Sequence, residues 1–243
     1  MRTLRFLIAA FCLTGALIID VGCSSPTASL STAKTLACPS PSNKVLVDAS
    51  HDGGVWWYPQ VAPFVSDSPH QGQALADTLR NRGYTVDELW RGAVVSSTML
   101  SGYTKVIRAA GFESYFPSEL QAYTYLASCP VTILLLGEFL LPGQTDALAT
   151  ELGVTLEGSF DGNVTVFASH PITAGVASVA FIAGSQVDTS LARSVQALGW
   201  LQTGEPVMGL VTSRPAKIFF LGDVNGMEQV PQPLVDNLIA WGF

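Results

Sequence analysis

The apolar segment 131–137, which reads VTILLLG, restricts the possible folds more than any other part of this chain. Strands that expose one face to solvent alternate apolar and polar residues, whereas strands covered on both faces by crossover helices are apolar throughout. The segment therefore predicts a central strand with helices packed on both faces of its sheet.

The first half of the chain alternates between predicted strands and helices. Strands are predicted at 45–49, 84–89, 105–110 and 131–137, and helices at 69–83, from Pro117 onward and at 144–152. This order favours parallel pairing through crossover connections. We therefore expect an α/β fold with a doubly wound, mostly parallel sheet of the flavodoxin-like kind.

The second half has shorter and less regular apolar segments. It predicts short extra strands, partly antiparallel, at 154–156, 164–168, 179–182 and 196–201, then a hairpin from 207–212 and 217–221 and a closing helix at 231–241. The closing helix would place Leu234, Leu238 and Trp241 on its inner face.

The N-terminus has the pattern of a secretory signal. Two arginines among the first five residues precede an apolar run at 6–19 that is too short for a stable membrane anchor. The run ends before Cys23 in a sequence similar to a bacterial lipobox, although Asp20 stands where an aliphatic residue is usual. We predict export through a signal peptide at 1–23. Lipidation of Cys23, simple cleavage and an uncleaved anchor remain the alternatives.

The rest of the chain divides into a tether and one domain. Residues 24–43 are rich in Ser, Thr, Pro and Ala and predict a flexible tether. Residues 44–243 have the size and apolar content of a single α/β domain. We expect this domain to face the periplasm or the exterior, attached to the membrane by a lipid or N-terminal anchor. A secreted soluble protein is the alternative.

The charge of the chain argues against nucleic acid as a partner. The formal net charge is -7, and the 12 lysines and arginines are scattered rather than clustered. The histidines His51, His70 and His170 lack the spacing of a metal site, so we expect no metal and no cofactor. A zinc-type site remains an alternative if His51, Asp52 and His70 meet in one loop cluster.

Two cysteines, Cys38 and Cys129, belong to the expected mature chain. Each lies just before a predicted parallel strand, and parallel strands begin at the same edge of their sheet. In an oxidising compartment this placement predicts a disulfide between them, with two unpaired thiols as the alternative.

Several short motifs occur in an order that resembles a known superfamily. They are His51-Asp52-Gly53-Gly54, His70-Gln71-Gly72, Leu135-Leu136-Gly137-Glu138, His170-Pro171-Ile172-Thr173-Ala174-Gly175 and Leu221-Gly222-Asp223. Together they resemble the class I glutamine amidotransferase-like fold. The similarity is to its non-catalytic branch, which includes the GIFT-type domains and related domains of unknown function on bacterial surface and gliding proteins.

Catalytic members of this superfamily use a cysteine nucleophile, and this chain has no cysteine at the matching position. An amidotransferase places its cysteine in a Gly-x-Cys-x-Gly turn after a central strand. Gly137-Glu138-Phe139 occupies that position here, and Cys129 precedes its strand, at the opposite edge. No Gly-x-Ser-x-Gly occurs in the sequence either. We therefore expect no catalysis by an activated cysteine or serine.

A ligand site is predicted beyond the carboxyl ends of the parallel strands, between the first strand and the strand that contains Arg108. The candidate residues are Ser50, His51, Asp52, Trp56, Trp57, His70, Gln71, Arg108, Glu113, Glu138 and Asp223. Aromatic rings beside carboxylates and amides are typical of sugar binding. Alternatively, Trp56, Trp57 and Tyr58 cover one end of the sheet.

Arg108 lies in a strand that should be buried, so it needs an acidic partner. Asp48 on the neighbouring strand is the best candidate, with Glu138 and Asp223 as alternatives. Arg108 would then belong to a structural ion pair or contact the ligand directly.

Three functions fit these observations. The first is an exported, non-catalytic module that binds a carbohydrate, a cell-wall fragment or a protein partner. The second is a hydrolase of glycosides or amides, with Glu113 and Glu138 as acid and base and His51 assisting. The third is a structural component of an envelope complex.

Overall fold

The computed structural model describes residues 37–188 and 194–243. The predicted signal peptide at 1–23, its lipidation site Cys23 and most of the predicted tether at 24–43 lie outside the described residues. Within the described ranges, no helix has both the length and the apolar character needed to cross a bilayer.

Strands and helices alternate in the first half of the described chain, and strands dominate the second. The strands are β1 (Lys44–Asp48), β2 (Thr85–Leu89), β3 (Lys105–Ala109), β4 (Thr132–Leu136), β5 (Leu156–Phe167), β6 (Val179–Val187), β7 (Val195–Leu201), β8 (Pro206–Val211) and β9 (Lys217–Leu221). The helices are α1 (Gln73–Asn81), α2 (Ser97–Leu100), α3 (Pro117–Ala127), α4 (Ala147–Leu152), α5 (Asn225–Glu228) and α6 (Gln232–Trp241), with a 3-10 turn at Pro171–Thr173.

The described strands form one sheet in the order β2-β1-β3-β4-β9-β8-β7-β5-β6. β1 pairs in parallel with β2 and β3, β3 with β4, and β4 with β9. The predicted α/β fold is confirmed, with parallel pairing in the first half. The direction of the strand order reverses between β1 and β3, which is where ligands often bind in such sheets.

Two apolar cores cover the two faces of the sheet. One contains residues of α1 and α6, and the other contains residues of α3 and α4. Residues that mark the first core are Leu79, Leu134 and Leu238, and those that mark the second are Leu126, Leu135 and Leu148. Because neighbouring residues of β4 point into different cores, helices cover both faces of this strand, as its apolar sequence predicts.

The antiparallel part of the sheet is larger than the sequence predicts. β8 and β9 form the predicted hairpin. The short strands predicted at 154–156 and 164–168 are instead parts of one strand, β5, of 12 residues, and β6 extends to Val187. Side chains at 157–163 are exposed or half-buried, so apolar alternation does not mark them. Their pairing with β6 rests on backbone hydrogen bonds with register shifts.

The predicted disulfide between Cys38 and Cys129 is present, with Cα atoms 5.5 Å apart. Cys38 precedes β1 and Cys129 precedes β4, so the bond lies at the amino edge of the parallel strands. Structural disulfides are typical of proteins that fold in an oxidising, exported compartment.

Candidate functional site

A pocket of about 470 Å³ opens at the carboxyl edge of the parallel strands. Segments that follow β1, β4 and β9 form its walls together with β6 and the residue Gln71 before α1. The lining residues are Gly53, Gly54, Val55, Tyr58, Gln71, Glu138, Phe139, Ile182, Ala183 and Asn225. We call it the strand-end pocket. Phe112, which follows β3, packs against Phe139 with ring centroids 4.9 Å apart and is not among the lining residues, so the pocket lies further from β3 than the sequence predicts.

Glu138 is the acidic residue of the strand-end pocket. It follows β4 and exposes 7% of its surface. Its Oε1 accepts a hydrogen bond from the Phe139 N–H at 3.2 Å, whereas its buried Oε2 has no hydrogen-bond partner among the described residues. Burial, reinforced by the charge of Asp223, raises the pKa of Glu138 to about 7. This carboxyl can therefore act toward a ligand in the pocket either as an acceptor or, when protonated, as a donor.

Asp223 is the second buried carboxyl at this edge and follows β9. It accepts hydrogen bonds from the backbone N–H of Ile182 and, at 2.8 Å, from that of Asn225. Burial raises the pKa of Asp223 to about 7, although these two hydrogen bonds oppose the shift. Both donors line the pocket, so Asp223 fixes the position of two of its walls.

Two glycines permit close backbone contacts at this edge, Gly137 between the ends of β4 and β9 and Gly222 between the end of β9 and β6. A Cβ on Gly137 would lie 2.9 Å from the carbonyl carbon of Gly222, and a Cβ on Gly222 would lie 1.9 Å from the backbone oxygen of Ser185. Neither position has room for a side chain. With β4 and β9 this close, the charge of Asp223 contributes to the raised pKa of Glu138.

Gln71 and Tyr58 complete the polar and aromatic character of the strand-end pocket. The Gln71 Oε1 atom is buried and has no hydrogen-bond partner within the described part of the chain, and the Gln71 backbone N–H donates to the Tyr58 carbonyl at 2.9 Å. Tyr58 is 64% exposed. The pocket therefore combines an exposed aromatic ring with two unpartnered acceptor oxygens, those of Gln71 and Glu138.

A second recess, which we call the adjoining pocket, shares Gln71 with the strand-end pocket and has a volume of about 520 Å³. Its lining residues are His70, Gln71, Gln73, Ala74, Asp77 and Glu228. The Asn225 Nδ2 atom donates to Glu228 Oε2 at 3.1 Å, which links the walls of the two pockets. Together they give this edge of the sheet room for a ligand longer than one small ring.

Trp56 and Trp57 belong to the core and do not line the strand-end pocket. They expose 2% and 0% of their surfaces. Trp56 Nε1 donates to Glu88 Oε2 at 3.0 Å, and Trp57 Nε1 donates to the Ala49 carbonyl at 3.3 Å. Their placement agrees with the alternative in which this loop covers one end of the sheet, and Tyr58 is the exposed ring of the three.

His70 lies in the same structural cluster as Trp56. Its Nδ1 is 3.3 Å from the Trp56 carbonyl oxygen and its Nε2 is 3.5 Å from Glu88 Oε2. Arg80 also contacts Glu88, at 2.7 Å. Burial lowers the pKa of His70 and outweighs the opposing effect of Glu88.

Ser50 and His51 belong to a buried network below the pocket edge. Ser50 Oγ donates to Asp48 Oδ1 at 2.5 Å and lies 2.7 Å from His51 Nδ1, while His51 Nε2 is 3.3 Å from Glu119 Oε2. Tyr123 donates to the other oxygen of Asp48 at 2.6 Å. Ser50 is completely buried and its hydroxyl already bonds to Asp48, so these contacts stabilise the turn after β1.

Arg108 pairs with Asp146, and the predicted pairing with Asp48 is wrong. The Arg108 Nη2 atom lies 2.5 Å from Asp146 Oδ2, and both side chains are buried. Asp48 is the register neighbour of Arg108, but the carboxylate of Asp48 is already occupied by Ser50 and Tyr123. Burial disfavours the charged form of Arg108 and so acts to lower its pKa. The adjacent Asp146 carboxylate outweighs this effect, and the pKa of Arg108 is raised.

Asp52 and Glu113 have different environments. Asp52 is buried and accepts hydrogen bonds from the N–H groups of Gly54 at 2.8 Å and Trp56 at 2.7 Å. Burial raises the pKa of Asp52 to about 6. Glu113 is exposed, and its N–H donates to the His51 carbonyl at 3.1 Å.

The structure thus brings together Gln71, Glu138 and Asp223 among the predicted residues, and places Glu113 on the surface outside the pocket lining.

The predicted residues do not converge on a metal-binding geometry. Within residues 37–188 and 194–243, no group of three or more His, Cys, Asp or Glu side chains could hold a metal ion. His51 pairs with Glu119 and His70 with Glu88, so each histidine lies in its own cluster.

Sequence reasoning did not place Asp146, Ile182 or Ala183 at this edge. Asp146 precedes the apolar residues of α4 and caps the helix, with Oδ1 accepting from the Ala149 N–H at 2.9 Å, a pattern that a search for helix caps can find. Ile182 and Ala183 reach the pocket through long-range pairing of β6, for which the local sequence has no signal. Ala183 has a φ of 56°, a left-handed conformation that is unusual for alanine.

No protein-family model matches the sequence, and no curated protein is significantly similar to it. Solved structures are similar in fold. The N-terminal domain of mmIFT52 aligns with a TM-score of 0.58 and 13% identity, over 81% of this chain and 94% of that domain. A cytoplasmic protein of Salmonella typhimurium aligns with a TM-score of 0.55 and 13% identity, over 82% of this chain and 98% of that protein.

A ThuA-like protein from Bacteroides uniformis aligns with a TM-score of 0.53 and 14% identity, over 86% of this chain and 94% of that protein. ThuA-like proteins have a glutamine amidotransferase-like fold, so the resemblance found in the sequence holds at the level of the fold. At these identities the comparisons establish architecture alone.

Proposed function

We propose that this chain is an exported binding module, tethered to the membrane through its N-terminal segment, whose strand-end pocket holds a carbohydrate or a cell-wall fragment. The observation that carries the proposal is the composition of the pocket: an exposed Tyr58 ring stands with unpartnered oxygens of Gln71 and Glu138 in a recess of about 470 Å³. The apolar face of a sugar stacks on such a ring, and its hydroxyls bond to such oxygens.

The turn after β4 supports binding rather than amidotransfer. Gly137-Glu138-Phe139 stands where the amidotransferase-like resemblance would require a cysteine nucleophile. We place the chain with the non-catalytic branch of that superfamily. The Cys38–Cys129 disulfide supports the exported location.

Isothermal titration of the purified chain tests the proposal. The titrants are neutral oligosaccharides, chitin oligomers and soluble peptidoglycan fragments. We expect at least one class to bind with measurable heat, and we expect the Tyr58→Ala variant to bind that class more weakly while keeping its fold. Absence of heat with every class would contradict the carbohydrate proposal and leave a protein partner as the next candidate.

A hydrolase is the second candidate, and the pKa of Glu138 favours it. A carboxyl with a pKa of about 7 holds a proton near neutral pH, as a general acid must. Hydrolysis of a glycoside also needs a second carboxylate at a suitable separation. Glu113 is exposed outside the pocket lining, and Asp223 is completely buried. Release of reducing ends that disappears in Glu138→Gln would favour this candidate over a binding module.

A further inference from the structure

The strand-end pocket is acidic. Its ten lining residues, all within the described ranges 37–188 and 194–243, include Glu138 and no lysine, arginine or histidine. Asp223 adds a second buried carboxyl, and the charges of Glu228 and Asp161 both act on Asp223. Asp161 reaches this site from β5, where it accepts a hydrogen bond from the Ala183 N–H at 2.8 Å.

Arginines elsewhere at this end of the domain are paired with other acids. Arg108 binds Asp146 at 2.5 Å, and Arg80 binds Glu88 at 2.7 Å. Arg91 Nε lies 3.8 Å from Asp52 Oδ1, and the Arg91 guanidinium lies beside the backbone of Gly54, a lining residue. The structure shows no ion pair between these three arginines and Glu138 or Asp223 among the described residues.

Gln71 Oε1, and Glu138 Oε2 when Glu138 is ionised, call for hydrogen-bond donors on the ligand. Glu138 is more than nine-tenths buried, and neither oxygen has a hydrogen-bond partner among the described residues. A buried acceptor without a donor costs free energy, which a ligand recovers when it supplies the donor. A hydroxyl supplies one donor, whereas an ammonium supplies three donors and the missing positive charge.

We propose that the ligand of the strand-end pocket is a carbohydrate with a free, positively charged amino group that binds Glu138. This inference rests on the proposed carbohydrate-binding function and narrows its ligand to sugars with unacetylated amines. The exposed Tyr58 ring distinguishes a sugar from a simple amine, because a sugar ring also offers an apolar face for stacking. An N-acetylated sugar has no charge to place against Glu138.

Binding of an amine beside Glu138 should also change the number of protons that the protein holds. Burial and Asp223 keep the Glu138 carboxyl largely protonated at pH 6, because its pKa is raised to about 7. An ammonium group beside it favours the carboxylate, so binding releases a proton from Glu138. The ammonium keeps its own protons, and the released proton passes to the buffer.

The test compares glucosamine oligomers with N-acetylglucosamine oligomers of the same length by isothermal titration of the purified full chain at pH 6. We expect the amino form to bind at least about tenfold tighter, equivalent to about 1.4 kcal/mol. Titration in two buffers of different ionisation enthalpy should show net proton release for the amino form alone.

Variants test whether Glu138 is responsible for the preference for the amino form. Glu138→Gln should remove most of the preference for the amino form and the proton release, so that glucosamine and N-acetylglucosamine oligomers bind this variant with similar affinity. Glu151→Gln, an exposed acid in α4, is the matched control and should keep the full preference.

Other outcomes are decisive. Equal affinity of the wild-type chain for the two forms would overturn this inference and leave the proposed function standing. Binding of tetralysine as tight as that of the amino sugar would show that charge alone is recognised and would overturn the sugar assignment. Absence of binding by amino, acetylated and neutral sugars alike would overturn the proposed function itself.

Discussion

The Arg108 guanidinium lies 2.5 Å from the Asp146 carboxylate, and the same carboxylate caps the first turn of α4. One residue thus neutralises a charge in the middle of β3 and fixes the start of a helix that covers the sheet. Gly111 permits this contact, because a Cβ there would lie 2.2 Å from Arg108 Nη1. The pair connects the central strands to one of the two helical layers.

Removal of Asp146 should strongly destabilise the domain. Asp146→Ala leaves Arg108 buried without a partner and removes the cap, so we expect a loss of about 3–5 kcal/mol in the free energy of unfolding. Asp146→Asn keeps the cap and should isolate the charge effect. Urea denaturation measures both, with the half-exposed Asp77 changed to Asn as a control that costs less than about 1 kcal/mol. Equal losses at Asp146 and Asp77 would contradict the structural role of the pair.

Stability should fall as the pH rises from about 4 to 7. Burial raises the pKa of Glu138 from 4.5 and that of Asp223 from 3.8, in both cases to about 7 in the folded chain. A raised folded-state pKa means that the folded chain binds more protons than the unfolded chain in this window, so the contribution is complete below the unfolded pKa and lost as the pH passes through the folded pKa.

Glu138→Gln tests this pH dependence. Glutamine has no proton to lose, so the variant should retain more of its low-pH stability at pH 7, by on the order of 1 kcal/mol. The residual slope comes from Asp223 and from Asp52, whose pKa is raised to about 6 by burial, and it is partly offset by His70, whose lowered pKa makes stability rise with pH up to about 6.5. Denaturation midpoints measured at several pH values should therefore differ in slope between variant and wild type. Identical slopes would refute the assignment of this proton to Glu138.

Loss of the Cys38–Cys129 disulfide should destabilise the domain without changing ligand binding. The bond joins residues 91 positions apart, for which the chain-entropy relation gives about 4–5 kcal/mol. It lies at the amino edge, whereas the strand-end pocket lies at the carboxyl edge. A Cys38→Ser/Cys129→Ser double variant should unfold at lower urea concentration and bind the same ligand with unchanged affinity at a temperature where it is folded. Added reductant should lower the stability of the wild type and leave the double variant unaffected.

Ligand length and Tyr58 should both affect affinity. Because the adjoining pocket shares Gln71 with the strand-end pocket, a disaccharide or trisaccharide should bind more tightly than the monosaccharide. Tyr58→Ala should weaken binding by about 1 kcal/mol through lost stacking, with no change in stability because the ring is 64% exposed. Val61→Ala, at a 79% exposed residue outside the pocket lining, is the control. Equal affinity for all lengths would argue against use of the adjoining pocket.

Gly222→Ala should disrupt the end of β9. The added Cβ would lie 1.9 Å from the Ser185 backbone oxygen, so backbone must move, and we expect a loss of at least about 3 kcal/mol. Gly102→Ala is the control, since its nearest contact would be at 3.4 Å. Thermal unfolding of the two variants measures the difference. A tolerated alanine at Gly222 would mean that the end of β9 and β6 are not held at this close approach.

Much of the fold could be predicted because local patterns specify it. The apolar run of β4 implies helices on both faces, and the spacing of strands and helices implies parallel pairing. The placement of Cys38 and Cys129 before parallel strands implies that they meet. Each of these inferences depends on residues near in sequence or on a general rule of sheet geometry.

Predictions that depended on how far a side chain extends, or on how a loop folds, were less successful. Asp48 is the register neighbour of Arg108, yet the long arginine side chain reaches Asp146 at the start of α4. Trp56 and Trp57 stand in a polar loop, but the loop folds back and buries them. The full length of β5 could not be predicted either. Its exposed middle residues pair with β6 through backbone hydrogen bonds, which leave no pattern in the sequence.

Pattern and residue identity were enough to predict the α/β architecture and the Cys38–Cys129 disulfide, and they exclude a cysteine in the turn after β4. The proximity of the two buried carboxyls depends instead on long-range pairing. Glu138 and Asp223 are 85 positions apart, and they come close because β4 and β9 pair in parallel and Gly137 lets the ends of these strands approach. Burial then raises both pKa values, and burial depends on the packing of the whole edge rather than on any local segment.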